Sequence, residues 1–158
     1  MLTIESPAFA PGGEMPARFT CDDANASPPL RWSGIPDSAK SLALIVDDPD
    51  APDPAAPKRV YVHWVLYNVP ATTHALDEGV TRDALPGAAR EGINDNGHTG
   101  YDGPCPPIGR HRYFHKLYAL DAVLPDLGPD TRKTDLERAM RGHILAEASL
   151  IGTYQRGR

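Results

Sequence analysis

Gly100-Tyr101-Asp102-Gly103-Pro104-Cys105-Pro106-Pro107-Ile108-Gly109-Arg110-His111-Arg112-Tyr113 is the stretch on which the reading of this chain turns. A glycine- and proline-locked loop runs straight into a strand-like segment that opens with His and Tyr. Glycine lets backbone N–H groups come close to a ligand, because no Cβ stands in the way. Proline stiffens the loop and donates no hydrogen bond. A rigid loop with a few bare amides beside an imidazole suits a small anion.

Working outward, the same alternation of turn and strand recurs. The 158 residues include 17 Pro and 14 Gly, which implies many tight turns and a β-rich fold. Ser27 to Trp32 is a Pro-led approach to a short strand, and Ser41 to Asp47 is an apolar run ending in acid, read as a buried strand. Asp48 to Pro57 reads as a proline-rich loop. Val60 to Val69 is rich in Val, Tyr and Trp. A period of two puts Tyr61, His63, Val65 and Tyr67 on one face and Val62, Trp64 and Leu66 on the other, as expected of a central strand buried on both sides. His111 to Leu120 is a further strand. Thr134, with Glu137 three residues on, predicts a capped helix with Leu136 and Met140 on its apolar stripe and Gly142 at its end. Ile144 to Tyr154 is the last strand. Strands joined by turns favour antiparallel sheets, so one mainly β domain over residues 1–158 is expected.

Length, 41% apolar residues and a formal net charge of −5 describe an ordinary globular domain and argue against nucleic-acid or anionic-membrane binding. Leu42 to Val46, the longest apolar run, is far too short to span a bilayer. With no signal-peptide pattern at the start, a cytoplasmic protein is expected. Cys21 and Cys105 form no Cys-x-x-Cys pair and are read as thiols of a reducing cytosol, a disulfide being the alternative.

The chemistry-bearing residues each have a bland reading. Asp47-Asp48-Pro49-Asp50 can organise a turn. An EF-hand loop starting at Asp48 fails, since Asp53 and Arg59 stand where Gly and Glu are needed. His63 can be a satisfied core residue; an Asp carboxylate against it would favour its imidazolium, which donates to an anion. Cys105 as a nucleophile needs a base within reach, and no spacing supplies one. A metal site built from Asp48, Asp50, His63 and His111 lacks close paired ligands. No cofactor signature is present.

Five blocks in order resemble the phosphatidylethanolamine-binding protein family, also called the Raf kinase inhibitor protein family, and within it the bacterial YbhB/YbcL-like branch. They are Ser27-Pro28-Pro29-Leu30-Arg31-Trp32, Asp48-Pro49-Asp50-Ala51-Pro52, Val62-His63-Trp64, Gly100 to Pro107, and His111-Arg112-Tyr113. Gly142-His143-Ile144-Leu145-Ala146-Glu147 also fits that branch. The resemblance implies two antiparallel β-sheets, Greek-key-like, with a few short helices, one near the C-terminus. It implies a small pocket for phosphate, acetate or a phosphoethanolamine head group, bounded by Asp48, Asp50, Tyr61, His63, Gly103, Cys105, Pro107, His111 and Tyr113. A regulator or inhibitor of a kinase or protease, and a homodimer, are further implications. In the physical version of this site, His63, His111, the N–H of Cys105 or Gly103 and the Tyr113 hydroxyl hold a dianion while Asp48 orients His63. The alternative is a small hydrolase or lyase using His63, His111 and Asp48 as acid/base groups.

Overall fold

The computed structural model describes residues 1–157. Among the described residues, eight strands form two antiparallel sheets, accompanied by one α-helix. The strands are β1 (Thr3–Glu5), β2 (Leu30–Ser33), β3 (Ser41–Ala51), β4 (Arg59–Pro70), β5 (Ala75–Leu76), β6 (Arg90–Glu91), β7 (His111–Leu120) and β8 (Ile144–Tyr154). The helix α1 spans Lys133–Met140, and single 3-10 turns lie at Ala17–Phe19 and Arg82–Ala84. One sheet has the order β1-β2-β5; the other, with five strands, runs β6-β4-β3-β7-β8.

The molecule is built in layers. Ile4, Leu30, Trp32 and Leu76 of the small sheet pack on Leu44, Val46, Trp64, Leu66 and Leu117 of the large one. On its other face, Ala43, Ile45, Val65 and Tyr67 meet Leu136 and Met140 of α1. Strands β3 and β4 are thus covered on both sides, which is why they carry near-continuous apolar runs. Trp64 is fully buried, and its indole N–H is satisfied by Glu91 Oε2 at 2.8 Å. Buried Asp47 ties the layers electrostatically: Lys116 of β7 and Lys133 at the start of α1 both reach its Oδ2, at 3.0 and 2.8 Å.

The expected alternation along β4 breaks at two points, between Leu66 and Val69 and again at His63. Val46 pairs with Trp64 but Asp47 pairs with Val62, so His63 is the extra residue of a bulge. Val62 consequently joins Val65 and Tyr67 on the helix side instead of sharing a face with Trp64 and Leu66. Strand β3 also runs further than the apolar run predicts, through Asp48 to Ala51, with a third irregularity of the β3–β4 pair between Asp48 and Ala51. The bulge absorbs Pro49, whose missing N–H would interrupt a regular ladder. Helix α1 begins before the predicted cap: Thr134 lies inside it, and Asp135 Oδ2 accepts from the Arg132 N–H at 2.9 Å. Aspartate is a better acceptor at this point than the Thr134 and Glu137 pattern, because it sits in the first turn where bare N–H groups and the positive end of the helix dipole face it.

Candidate functional site

Three segments converge at one end of the large sheet: the bulged ends of β3 and β4, the start of β7, and the loop that precedes β7. They enclose a cleft of about 450 Å³, within the usual range for small-molecule sites. Eight of the residues singled out by sequence line it: Asp48, Tyr61, His63, Gly103, Cys105, Pro107, His111 and Tyr113. Asp50 does not. Its carboxylate turns to Arg112, taking the Arg112 Nη2 at 2.9 Å, Nε at 3.0 Å and backbone N–H at 2.9 Å. These hydrogen bonds hold its carboxyl below the usual range.

The bulge in β4 aims His63 at the cleft, between Tyr61 and Tyr113 with ring centroids 5.2 and 5.3 Å away. The expected partnership of Asp48 with His63 does not occur. The His63 Nδ1–H donates to the Asp102 carbonyl at 2.7 Å. Burial pushes the His63 pKa down, against the smaller opposing effects of that hydrogen bond and of the charges on Asp48 and Asp102. The imidazole is therefore neutral near pH 7, not the imidazolium expected from sequence, and its Nε2 has no partner among the described residues.

Asp48 partners His111 instead. Its Oδ2 lies 2.6 Å from His111 Nδ1, with both side chains buried. Its Oδ1 accepts the Asp50 N–H at 2.7 Å. His111 Nε2 faces the carbonyls of Ile108 and Pro52, at 2.8 and 3.1 Å. Every neighbour of the His111 ring nitrogens is thus an acceptor, and the Asp48–His111 pair is fully occupied by the protein itself.

The loop is set by close packing. A Cβ on Gly103 would lie 2.0 Å from the Phe19 carbonyl oxygen, so only glycine fits. Asn25 bridges the two sides: its Oδ1 accepts from Gly103 N–H at 2.7 Å and its Nδ2 donates to Asp102 Oδ1 at 3.0 Å. Gly103 N–H is therefore spent internally, which leaves Cys105 N–H as the free amide of the expected pair. Asp102 Oδ2 takes His98 Nδ1 at 2.6 Å and Asn94 Nδ2 at 2.9 Å. Burial alone would raise the Asp102 pKa; the bonds from His98, Asn94 and Asn25 outweigh it and keep the carboxyl below its usual range.

Cys21 and Cys105 are joined by a disulfide at the lip of the cleft. This corrects the reading of both as thiols and removes Cys105 as a nucleophile in this state. Beside it, Cys21 N–H donates to the Pro104 carbonyl at 3.0 Å, a second tie between the same two segments. Sequence reasoning also missed Asn25, Arg59, Asn96 and Asp102. Asn25 has a φ of +58°, a conformation that Asn tolerates better than most residues, but nothing in the sequence says so. The Arg59 guanidinium stacks over Tyr61 at 4.9 Å and reaches Asp95 at 3.4 Å, while the Tyr61 hydroxyl donates to Asn96.

Tyr113 lines the cleft and carries a polar atom that is unanswered. The Tyr113 hydroxyl is buried without a hydrogen-bond partner, and burial raises its pKa far above the usual tyrosine value. Among the described residues, no helix is long and apolar enough to cross a membrane.

Comparison with known proteins fits this architecture. The family model described as phosphatidylethanolamine-binding protein matches residues 5–155. A UPF0098 protein of Methanothermobacter thermautotrophicus is 52% identical, over 99% of this chain and 100% of its own length. The crystal structure of a phosphatidylethanolamine-binding protein homologue from Chlamydia trachomatis superposes with a TM-score of 0.89 at 40% identity, covering 99% of this chain and 98% of that one. E. coli YbcL gives the same TM-score of 0.89 at 30% identity, covering 99% of both chains.

Proposed function

Because the chain belongs to the phosphatidylethanolamine-binding protein family, we propose that its cleft binds a small anion of the phosphate or phosphomonoester class, a phosphoethanolamine-like head group included. The observation that carries this is the unpartnered hydroxyl of Tyr113, which lines the cleft beside a His63 whose Nδ1 is committed and whose Nε2 is free. Buried polar groups are seldom left bare, and an anionic oxygen seated there answers both. Cys105 N–H and the Arg59 guanidinium add donors at the rim. The carboxylates nearby do not repel the ligand strongly, since Asp48 is matched by His111 and Asp102 by three donors.

An acid/base enzyme using His63, His111 and Asp48 is disfavoured by the same geometry. A proton shuttle needs a nitrogen free to face substrate: His111 has none, which removes the Asp48–His111 pair from such a role, and His63 Nε2 would have to act without a carboxylate partner. A wider role as regulator of a kinase or protease belongs to the proposal as the use to which anion binding is put. A fold likeness to a carboxypeptidase Y inhibitor, at 17% identity, speaks to architecture alone. A homodimer is proposed through the first half of β8, which exposes Ile144 and Leu145, the far end of the strand being covered by residues 12–15 through hydrogen bonds at Ile151 and Thr153; a monomer in sedimentation equilibrium would remove it. A cytoplasmic location stands only together with the reducible bond argued below.

The test is calorimetric titration with phosphate and O-phosphoethanolamine at pH 6 and pH 8, for wild type and His63→Ala. The free imidazole is neutral because its pKa is depressed, and a bound anion raises it. Binding therefore takes up a proton and weakens as pH rises. Saturable binding that is tighter at pH 6 and lost in the variant is expected. Absent binding, or binding indifferent to both changes, would falsify the proposal.

A further inference from the structure

The segment that forms one wall of the cleft is held in an unusual way. Up to Pro104 the loop is stitched to the N-terminal region by four hydrogen bonds: Tyr101 hydroxyl to Phe19 carbonyl at 2.7 Å, Asn25 Nδ2 to Asp102 Oδ1 at 3.0 Å, Gly103 N–H to Asn25 Oδ1 at 2.7 Å, and Cys21 N–H to Pro104 carbonyl at 3.0 Å. Beyond that point the character changes. Pro106 and Pro107 have no N–H, and no backbone N–H of residues 105–109 finds a protein acceptor among the described residues. What remains is the disulfide at one end, the His111 bond to the Ile108 carbonyl near the other, and Arg110 on Glu14 and Thr153. Both cysteines are exposed, and both line the cleft.

From this placement we propose that the Cys21–Cys105 disulfide is a thiol–disulfide exchange site whose reduction unties the 105–109 wall and weakens anion binding. The binding half of this inference rests on the function proposed above. The reductant is a low-molecular-weight thiol or the dithiol of a reductase. Its thiolate attacks one exposed sulfur and breaks the Cys21–Cys105 bond. A mixed disulfide forms, and the other cysteine leaves as a thiolate that takes a proton. The second reductant thiolate attacks the mixed disulfide and releases the remaining cysteine, also protonated. Two electrons and two protons pass to the protein, and the reductant becomes a disulfide.

Reduction removes the tie at Cys105 but none of the hydrogen bonds that place Tyr101, Gly103 and Pro104. The floor, made by His63, His111 and Tyr113 on the sheet, is untouched. The change is confined to a wall that alternates between closed and open. If the untied wall is closed about a tenth of the time, apparent affinity falls about tenfold.

The experiment treats the native full chain with dithiothreitol and counts thiols by alkylation and mass spectrometry. Backbone 15N relaxation and phosphate titration follow, on the oxidised and reduced protein and on the Cys21→Ser/Cys105→Ser double variant. The expected result is two new thiols without denaturant and lower amide order parameters at residues 105 and 108–110, with the sheet unchanged. Phosphate affinity should fall about tenfold and return on reoxidation with oxidised glutathione. A bond that resists dithiothreitol until the protein unfolds overturns the exchange site, and so does a protein that unfolds on reduction. Unchanged order parameters or unchanged affinity after reduction overturn the untying. If the oxidised protein itself ignores phosphate, the anion reading fails, while thiol count and order parameters still decide the exchange site.

Discussion

Tyr113→Phe separates stability from binding more cleanly than any other change in this cleft. The phenol is 1% exposed and its hydroxyl has no partner. A buried polar group left unsatisfied costs about 1–3 kcal/mol, so deleting it should stabilise the ligand-free protein by up to that amount. For a domain of this size each kcal/mol moves Tm by about 2–4 °C. The ring itself stays, and with it the packing on His63 at 5.3 Å and on His111 at 6.4 Å. In the complex the same hydroxyl donates to an anion, and a hydrogen bond to a charged group contributes about 1.5–3 kcal/mol. Losing it should weaken phosphate binding about 10- to 150-fold. Differential scanning calorimetry without ligand and isothermal titration with phosphate give the two numbers. A Tm that rises while affinity falls is the expected pair. A lower Tm with unchanged affinity would refute the reasoning, because the hydroxyl would then be satisfied in the free protein and idle in the bound one.

Two further outcomes follow from charge. Arg59 reaches the rim from an exposed position, 56% accessible at its side chain, so Arg59→Gln should weaken phosphate binding only about threefold, the scale of a screened surface charge. The variant should also flatten the dependence of affinity on salt, and an unaltered salt slope would count against a role for this side chain. His115 is fully buried, and burial lowers its pKa to about 4. The unfolded chain binds this proton from about pH 6.5 downward and the folded one does not, so stability is intact above pH 6.5 and falls towards pH 4. The loss from this residue reaches about 3 kcal/mol at the acid end, at 1.36 kcal/mol per pH unit. Urea unfolding of His115→Gln at pH 7 and pH 4.5 should show a shallower acid loss than wild type; equal losses would remove His115 from the account.

Much of the sheet is legible in the sequence for a physical reason. Strands β7 and β8 appear at their predicted limits, and β4 within one residue, because each is long enough for period two and β-propensity to accumulate. Strands β1, β5 and β6 have only two or three residues and leave no pattern to read. The disulfide was open to either reading, since Cys21 and Cys105 are 84 residues apart and long-range contacts, the packing of Gly103 on Phe19 and the bond from Cys21 N–H to the Pro104 carbonyl among them, bring them together.

Site membership was easier to read than site wiring, and the bulges explain why. A bulge is a property of a strand pair, so neither the extra residue at His63 nor the irregularity between Asp48 and Ala51 is visible in one segment alone. His63 lies close to Asp48 in sequence, and their strands are neighbours, which made that pair the natural expectation. Past the irregularity between Asp48 and Ala51, Asp48 meets His111 and Asp50 meets Arg112, consecutive residues of β7. His63 is left to the Asp102 carbonyl and to burial. The consequence bears on the proposed function. Had Asp48 faced His63, the imidazole would be held protonated as half of a neutral ion pair. As built, His63 is neutral without a ligand, so the proposed anion would have to bring its own proton uptake, and the titrations at pH 6 and pH 8 measure it.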